Sequence, residues 1–471
     1  MFRRSNHEFF IKILLSVVLV VLIINIYCLS IIFKDDDPGA STDKIIIKSI
    51  NGTVFSTSKV LLKAKQNGRK ATKKPAVFVH RNTTQLATQK ILAVSNLLQK
   101  HYKKRFFPSK FTLKFENILK SIQGRDVSAK FLNDVSKWVN GREVFPEFPS
   151  NQLGQALNTL CSSRIIFADN AKKGTQLKIL VTIEGGFKAI FKPQWYKKDE
   201  AIVGEVFAGK DRHNGEVAAF YLSLLLGLHR APLTVGRKVN LRKEIMSVST
   251  TGLLQTFYQE GNDTCFYGVC YYCKPQDAVC ATQDIIEGAL ILWLPEHLPL
   301  KKFRHPWQRT YIPDVPARWE LDADYCQVVR KSPLYSRGPR LLDIIDTSIF
   351  DFLIDNGDRH HYEVFENISN AAVLLIDNGK SFGNSKLDHI DILAPLYQCC
   401  RLRSSTWTHL KWFQGGMLSE TMEQLLEHSH IAPVLTSQHL AALDRRLSLI
   451  IAAVNVCFKE RNGEANVIVS D

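Results

Sequence analysis

The feature that most limits how this chain can fold is an almost uninterrupted apolar run of 21 residues, from Ile13 to Phe33. A helix of that length crosses the roughly 30 Å hydrocarbon core of a bilayer, where backbone polar groups must be bonded within the segment. Arg3, Arg4 and Lys12 precede the run, and Asp35, Asp36 and Asp37 follow it. The cationic flank stays in the cytosol, so everything after Phe33 is expected on the far side. The rival is a cleaved signal peptide. Its apolar region is usually roughly 7 to 15 residues long, and no small-x-small cleavage site follows here. The expected layout is a cytosolic tail over 1–12, a transmembrane signal anchor over 13–33, and a lumenal remainder.

Two features agree with that topology. Sequons stand at Asn51, Asn82, Asn262 and Asn367, and such sites are glycosylated only on the lumenal side. Every cysteine except Cys28 follows the apolar run. Cys265, Cys270, Cys273 and Cys280 are clustered, whereas Cys326, Cys399, Cys400 and Cys457 are dispersed. The spacing Cys270-x-x-Cys273 has no second pair to complete a four-ligand zinc site, and an oxidising lumen favours disulfides.

The formal net charge of +16 suggests a polyanion partner until it is divided along the chain. Residues 34–130 hold 21 basic and 6 acidic side chains, whereas 131–471 hold 37 and 38. The excess therefore sits in an N-terminal stretch. Residues 34–85 lack any sustained apolar period and read as a basic, solvated stem, with a glycosaminoglycan-binding strip as the alternative. Nothing else supports nucleic-acid binding.

Beyond the stem, residues 86–152 contain amphipathic helices, with Ile91, Val94, Leu97 and Leu98 at helical spacing and expected in the core. Leu177–Ile183 and Phe187–Phe191 flank Glu184-Gly185-Gly186 and predict a β-hairpin. Arg212–Leu226 carries a helical stripe that ends at Gly227. Val235–Val239 and Leu253–Phe257 are expected strands, and Leu341–Ile354, Met417–His428 and His439–Lys459 expected helices. Strands first and helices later suit an α+β domain of two lobes.

Chemistry concentrates in Asp351–Glu363, where a helix runs into the polar stretch Asp358-Arg-His-His-Tyr-Glu363, and in Val373–Gly383, where a short apolar strand is expected to deliver Asp377. Phosphoryl transfer needs this order: one carboxylate to orient and deprotonate an acceptor hydroxyl, another to hold the metal on the nucleotide phosphates. Protein kinases use Asp-x-x-x-x-Asn and Asp-Phe-Gly; here Glu363 stands at the Asn position and Asn-Gly follows Asp377. From the residues alone two alternatives stay open. One is a metal-dependent hydrolase built on Asp358, His360, His361, Glu363 and Asp377. The other is a salt-bridged turn in which Arg359 neutralises neighbouring carboxylates.

Asp358–Glu363, Asp377-Asn-Gly-Lys-Ser-Phe-Gly383, Cys265–Cys270, Pro395–Cys400 and Gly174-Thr-Gln-Leu-Lys178 resemble motifs of the secretory-pathway kinases called family with sequence similarity 20. The resemblance runs from about Leu153 to Phe458. It implies an atypical two-lobed protein-kinase-like α+β fold, with an N-lobe and disulfide-containing insertion over 153–290 and a hinge and C-lobe over 291–471. The helical segment 86–152 would pack on it. Carried over by motif, Asp358 is the catalytic base and Asp377 the metal and nucleotide ligand. Gln176, Lys178, Lys192 and Glu363 are nucleotide-site residues, and Ile291, Leu292, Trp293 and Leu294 form the adenine-facing hinge. Asp211 occupies a position where a related kinase carries a metal-binding Glu, with Glu216 as the alternative ion-pairing acid. Lys188 has no motif behind it and is expected to be exposed.

The resemblance also implies disulfides Cys265–Cys280, Cys270–Cys273, Cys326–Cys399 and Cys400–Cys457, leaving Cys161 unpaired. Glu287–Pro295, Arg304–Tyr311 and Lys380–Asn384 are similar to the branch that phosphorylates a sugar. The resulting expectation is a type II Golgi membrane enzyme that uses ATP and Mn2+, with Mg2+ as a substitute, on xylose in the proteoglycan linkage region. Trp195, Trp307 and Tyr311 are candidates to stack on a sugar ring. The alternatives are a secreted protein kinase for acidic Ser motifs and a pseudokinase activator.

Overall fold

The computed structural model describes residues 83–100, 109–146, 151–172 and 174–471, all within the unit Gln66–Asp471. The apolar run Ile13–Phe33, the stem, and the sequons at Asn51 and Asn82 lie outside the described residues. Among the described residues no helix is long and apolar enough to cross a membrane. The remaining sequon asparagines, Asn262 and Asn367, are both exposed.

Among the described residues four helices come first: α1 (Thr83–Lys100), α2 (Ser109–Ile122), α3 (Ala129–Trp138) and α4 (Gln152–Ser162). Phe111 of α2 meets Phe413 edge-on at 4.9 Å, and Lys90 of α1 pairs with Glu460 at 2.6 Å, so these helices rest on the C-terminal half. One expectation is corrected here. Ile91 and Ser95 are buried, but Leu97 and Leu98 are exposed, because α1 turns only its middle inward.

The N-lobe is a five-stranded antiparallel sheet of β1 (Ile165–Asn170), β2 (Ile179–Ile183), β3 (Phe187–Pro193), β4 (Thr234–Asn240) and β8 (Ile285–Leu292), in the order β1-β2-β3-β8-β4. The β2–β3 hairpin turns through the three residues Glu184–Gly186, where Gly185 and Gly186 adopt φ values of 91° and 84°, the left-handed region that glycine takes without strain. α5 (His213–Leu225) is buried along its whole length, as an all-round apolar helix must be. Between β4 and β8 an insertion folds as β5 (Phe257–Glu260), β6 (Asp263–Phe266) and β7 (Val279–Cys280). The strand expected over Leu253–Phe257 is not formed. Thr250 caps a turn of helix over Thr251–Leu254 instead, and extended pairing starts only at Phe257.

The C-lobe is helical around α6 (Arg340–Ile354), α7 (Met417–Leu426) and α8 (Ser437–Glu460), with the ribbon β9 (Leu300–Arg304) and β10 (His361–Phe365) on the cleft side. Buried Arg446 of α8 reaches Asp388 at 2.9 Å and Asp355, at the left-handed cap of α6, at 3.4 Å. That interaction fixes where α6 ends. The four disulfides among the described residues are those the resemblance implied, and Cys161 is buried and free. Burial, opposed by Arg237, raises the Cys161 thiol to about 11, so it remains protonated and inert.

Candidate active site

Lys192, on β3, organises the cleft. Its side chain is buried, and Nζ lies 2.9 Å from Asp211, 2.6 Å from Glu216 and 2.8 Å from Asp377. Burial pulls the ammonium's pKa down, but Asp211, Asp377 and Glu216 outweigh it and hold it well above the ordinary lysine value. The pairing draws on three separate elements: Asp211 precedes α5, Glu216 sits in its first turn, and Asp377 follows the apolar stretch of the C-lobe. Asp211 and Glu216 are buried, whereas the Asp377 side chain is 71% exposed. Lys192 first, then Lys178 and Arg359, hold the Asp377 carboxyl below the usual carboxylate range despite the opposing effect of desolvation.

Val373–Ile376 is extended and mostly buried, but it is not the expected strand. Leu374 N–H donates to Glu363 and Leu375 N–H to Arg230, so the backbone bonds go to two different neighbours and no ladder forms. Asp377 then adopts φ 60°, the left-handed region, which turns the chain toward Lys192. A Cβ at Gly379 would lie 2.6 Å from the Asp211 carboxyl carbon, so only glycine lets this turn approach Asp211. Asn378 N–H donates to Glu216 at 3.0 Å and locks the turn to α5.

Asp358 lies past the end of α6, with 28% of its side chain exposed. Arg359 fixes its loop: the guanidinium grips both oxygens of Asp351 at 2.5 and 2.8 Å, donates to the Ile376 carbonyl at 2.7 Å, and reaches Asn378 at 2.8 Å. The salt-bridged turn read from the sequence therefore exists, and it ties the Asp358 loop to the Asp377 turn. The hydrolase ligand set does not assemble. Among the described residues the one metal-like cluster is Glu260, Cys265 and Cys280, whose two sulfurs are already joined as a disulfide.

A family model described as Golgi casein kinase, C-terminal, Fam20 matches residues 130–467. The chain belongs to the Fam20 family. A glycosaminoglycan xylosylkinase of Danio rerio is 52% identical over 337 residues, covering 71% of this chain and 82% of the relative. A solved hydra Fam20 with sugar superposes with a TM-score of 0.70 at 45% identity, covering 74% of this Fam20 chain and 99% of that one. The Golgi casein kinase with Mn/ADP bound superposes with a TM-score of 0.69 at 29% identity, covering 85% and 96%.

The residues of this Fam20 chain fit a nucleotide with its metal. Gln176 Oε1 is buried with no hydrogen-bond partner among the described residues, an acceptor held ready for a donor from outside. Its loop is clamped from the insertion, where Tyr272 N–H donates to Thr175 beside the Cys270–Cys273 bend. Asp211 and Asp377, brought together on Lys192, are carboxylate oxygen donors of the kind a hard divalent ion takes. Lys178 and Glu363 are both half-buried, Glu363 opposite Lys302 on the β9–β10 ribbon.

The four hinge residues divide. Ile291 pairs with Ile190, which shares the Lys192 face, whereas Leu292 pairs with Ala189 on the opposite face. Leu292, Trp293 and Leu294 line a separate cavity of about 310 Å³ against α3. Lys188 is exposed and pairs with Glu296 at 2.6 Å. Trp307 is buried in the core, with its indole N–H on Gln398, while Tyr311 is 37% exposed and touches Asp358. Asn378 and Asp351 were not singled out from the sequence. The Asp-Asn-Gly run and an acid one helical end away from Asp358 were the available signals.

Proposed function

We propose that this chain is a secretory-pathway kinase that moves the γ-phosphate of ATP to the 2-hydroxyl of xylose in the glycosaminoglycan–protein linkage region of proteoglycans. The observation that carries the reading is the Lys192 ammonium held by Asp211, Glu216 and Asp377, with the partly open Asp358 carboxylate on the adjoining loop. Bound ATP, with Mn2+ or Mg2+ held by Asp377 and Asp211, supplies the phosphoryl group and part of the charge neutralisation.

The chain's own residues do the rest. Asp358 accepts the proton of the acceptor hydroxyl and aims its oxygen. Lys192 screens phosphate charge from a buried position where an ammonium acts strongly. Glu216 keeps Lys192 extended across the cleft, and Arg359 sets the spacing between Asp358 and Asp377. Gln176 and Lys178 on the N-lobe and Glu363 on the β9–β10 ribbon would hold the nucleotide, and Ile291 presents an apolar side on the Lys192 face. The relatives named xylosylkinase support the choice of acceptor. The near balance of charge over 131–471 also suits a neutral sugar better than an acidic peptide.

The reading extends to place: Ile13–Phe33 anchors the chain in the Golgi membrane with the catalytic domain lumenal, where Asn262 and Asn367 are open to glycosylation. The test of function is phosphate transfer measured side by side on a galactosyl-xylose acceptor, on galactose and on an acidic Ser peptide. The expected result is efficient transfer to the xylose-containing acceptor and little to the others. A higher kcat/KM on the peptide replaces this reading with a protein kinase, and no transfer to any acceptor replaces it with a pseudokinase.

A further inference from the structure

Tyr311 touches the reacting carboxylate directly. Its hydroxyl donates to Asp358 Oδ1 at 2.7 Å, and it does so from a backbone φ of 58°, a region in which an aromatic residue is rare and costly. The surroundings hold it there. Its ring lies 4.8 Å from Phe207 and edge-on at 5.7 Å to His360. Upstream, His305 N–H donates to the His360 carbonyl, and Arg309 donates to Gly357 at 3.2 Å while pairing with Asp391 at 2.5 Å. Trp319 donates to the Gln308 carbonyl at 2.8 Å. Arg304–Tyr311 is thereby docked along both sides of Asp358, and Tyr311 is the residue at which the segment meets the carboxylate.

We propose that Tyr311 is a positioning residue for the transfer reaction, whose hydroxyl occupies Oδ1 of Asp358 so that Oδ2 alone is presented to the acceptor hydroxyl. A carboxylate free to rotate offers either oxygen in many orientations; one strong hydrogen bond to a charged acceptor removes that freedom. Burial, and then Asp358, push the Tyr311 phenol above its ordinary value, so it stays a donor throughout the working range. The assignment rests on the kinase reading above.

The test is Tyr311→Phe in the purified lumenal protein, on whichever acceptor the wild type uses best. The ring and its contacts remain, and only the hydroxyl is lost. The expected result is a fall in kcat on the order of 10- to 100-fold, with KM for ATP and the melting temperature unchanged. A further expectation is a smaller loss when the same change is made in Asp358→Glu, since the two side chains act as a pair. An unchanged kcat overturns the assignment. A loss of kcat accompanied by matching losses of ATP affinity and melting temperature also overturns it, because the tyrosine is then structural. If the best acceptor is a peptide, the sugar reading fails and this test stands. If the wild type transfers to nothing, both fail.

Discussion

At the scale of single residues, two aspartates divide the work and can be separated experimentally. Asp377 is held ionised by Lys192, with Lys178 and Arg359 adding to the effect, and its side chain is largely exposed. Asp358 belongs to a different loop and makes no ion pair with Lys192 among the described residues. Asp377→Asn is therefore expected to abolish transfer and weaken metal-dependent ATP binding. Asp358→Asn is expected to lower transfer on the order of 10³-fold or more while leaving ATP binding nearly unchanged. Calorimetric titration of ATP with Mn2+, run beside the transfer assay, checks both. Near-native turnover by either variant defeats the residue assignment.

At the scale of elements, α8 shows how one cap couples pH to stability. Thr436 accepts a hydrogen bond from His439 N–H at 3.3 Å, and His439 Nδ1 accepts from Thr436 N–H at 3.4 Å, a reciprocal capping box. The ring must be unprotonated at Nδ1 to accept. Burial first, then Arg446 and Arg212, push His439 down from 6.5 to about 4. Between those two values the unfolded chain binds a proton that the folded chain refuses, so stability rises with pH across that window. The contribution is complete above about 6.5 and is lost as pH falls toward about 4. His439→Gln keeps an acceptor at the same position without titrating. The expected outcome is a melting temperature that falls less in the variant than in the wild type between about pH 7 and about pH 5; parallel curves contradict the role.

At the scale of the molecule, adjacent cysteines pull in different directions. Cys399 is bonded to Cys326, and Cys400 to Cys457 near the end of α8, so the short helix Ala394–Cys399 is fastened on both sides. These links join segments 73 and 57 residues apart, a separation over which a crosslink removes substantial freedom from the unfolded chain. Changing Cys400 and Cys457 together to Ser is expected to cost about 2–4 kcal/mol and to leave KM for ATP unchanged, because both sit in a small apolar cluster with Val467 that contains none of the Lys192 carboxylates. Denaturant titration beside the transfer assay is the check. An unchanged midpoint shows that packing of α8 alone secures the C-lobe.

Much of this was legible in the residues. The hairpin over β2 and β3, α5, α6 and α8 follow from apolar period, paired glycines and stops, because those signals are local. Asp358, Asp377 and Lys192 were recognisable because their motifs are contiguous. Local pattern failed where the deciding contact came from elsewhere. Leu97 and Leu98 have helical spacing but lie on the exposed side of α1, and Val373–Ile376 has a strand's composition but divides its bonds between two neighbours. Sequence determined which carboxylates the chain owns and on which elements they ride. Only tertiary structure decided that three of them converge on one lysine, that Ile291 and not Leu292 shares its face, and that Tyr311 holds Asp358. Those outcomes depend on through-space distances between segments far apart in sequence, which no local period encodes.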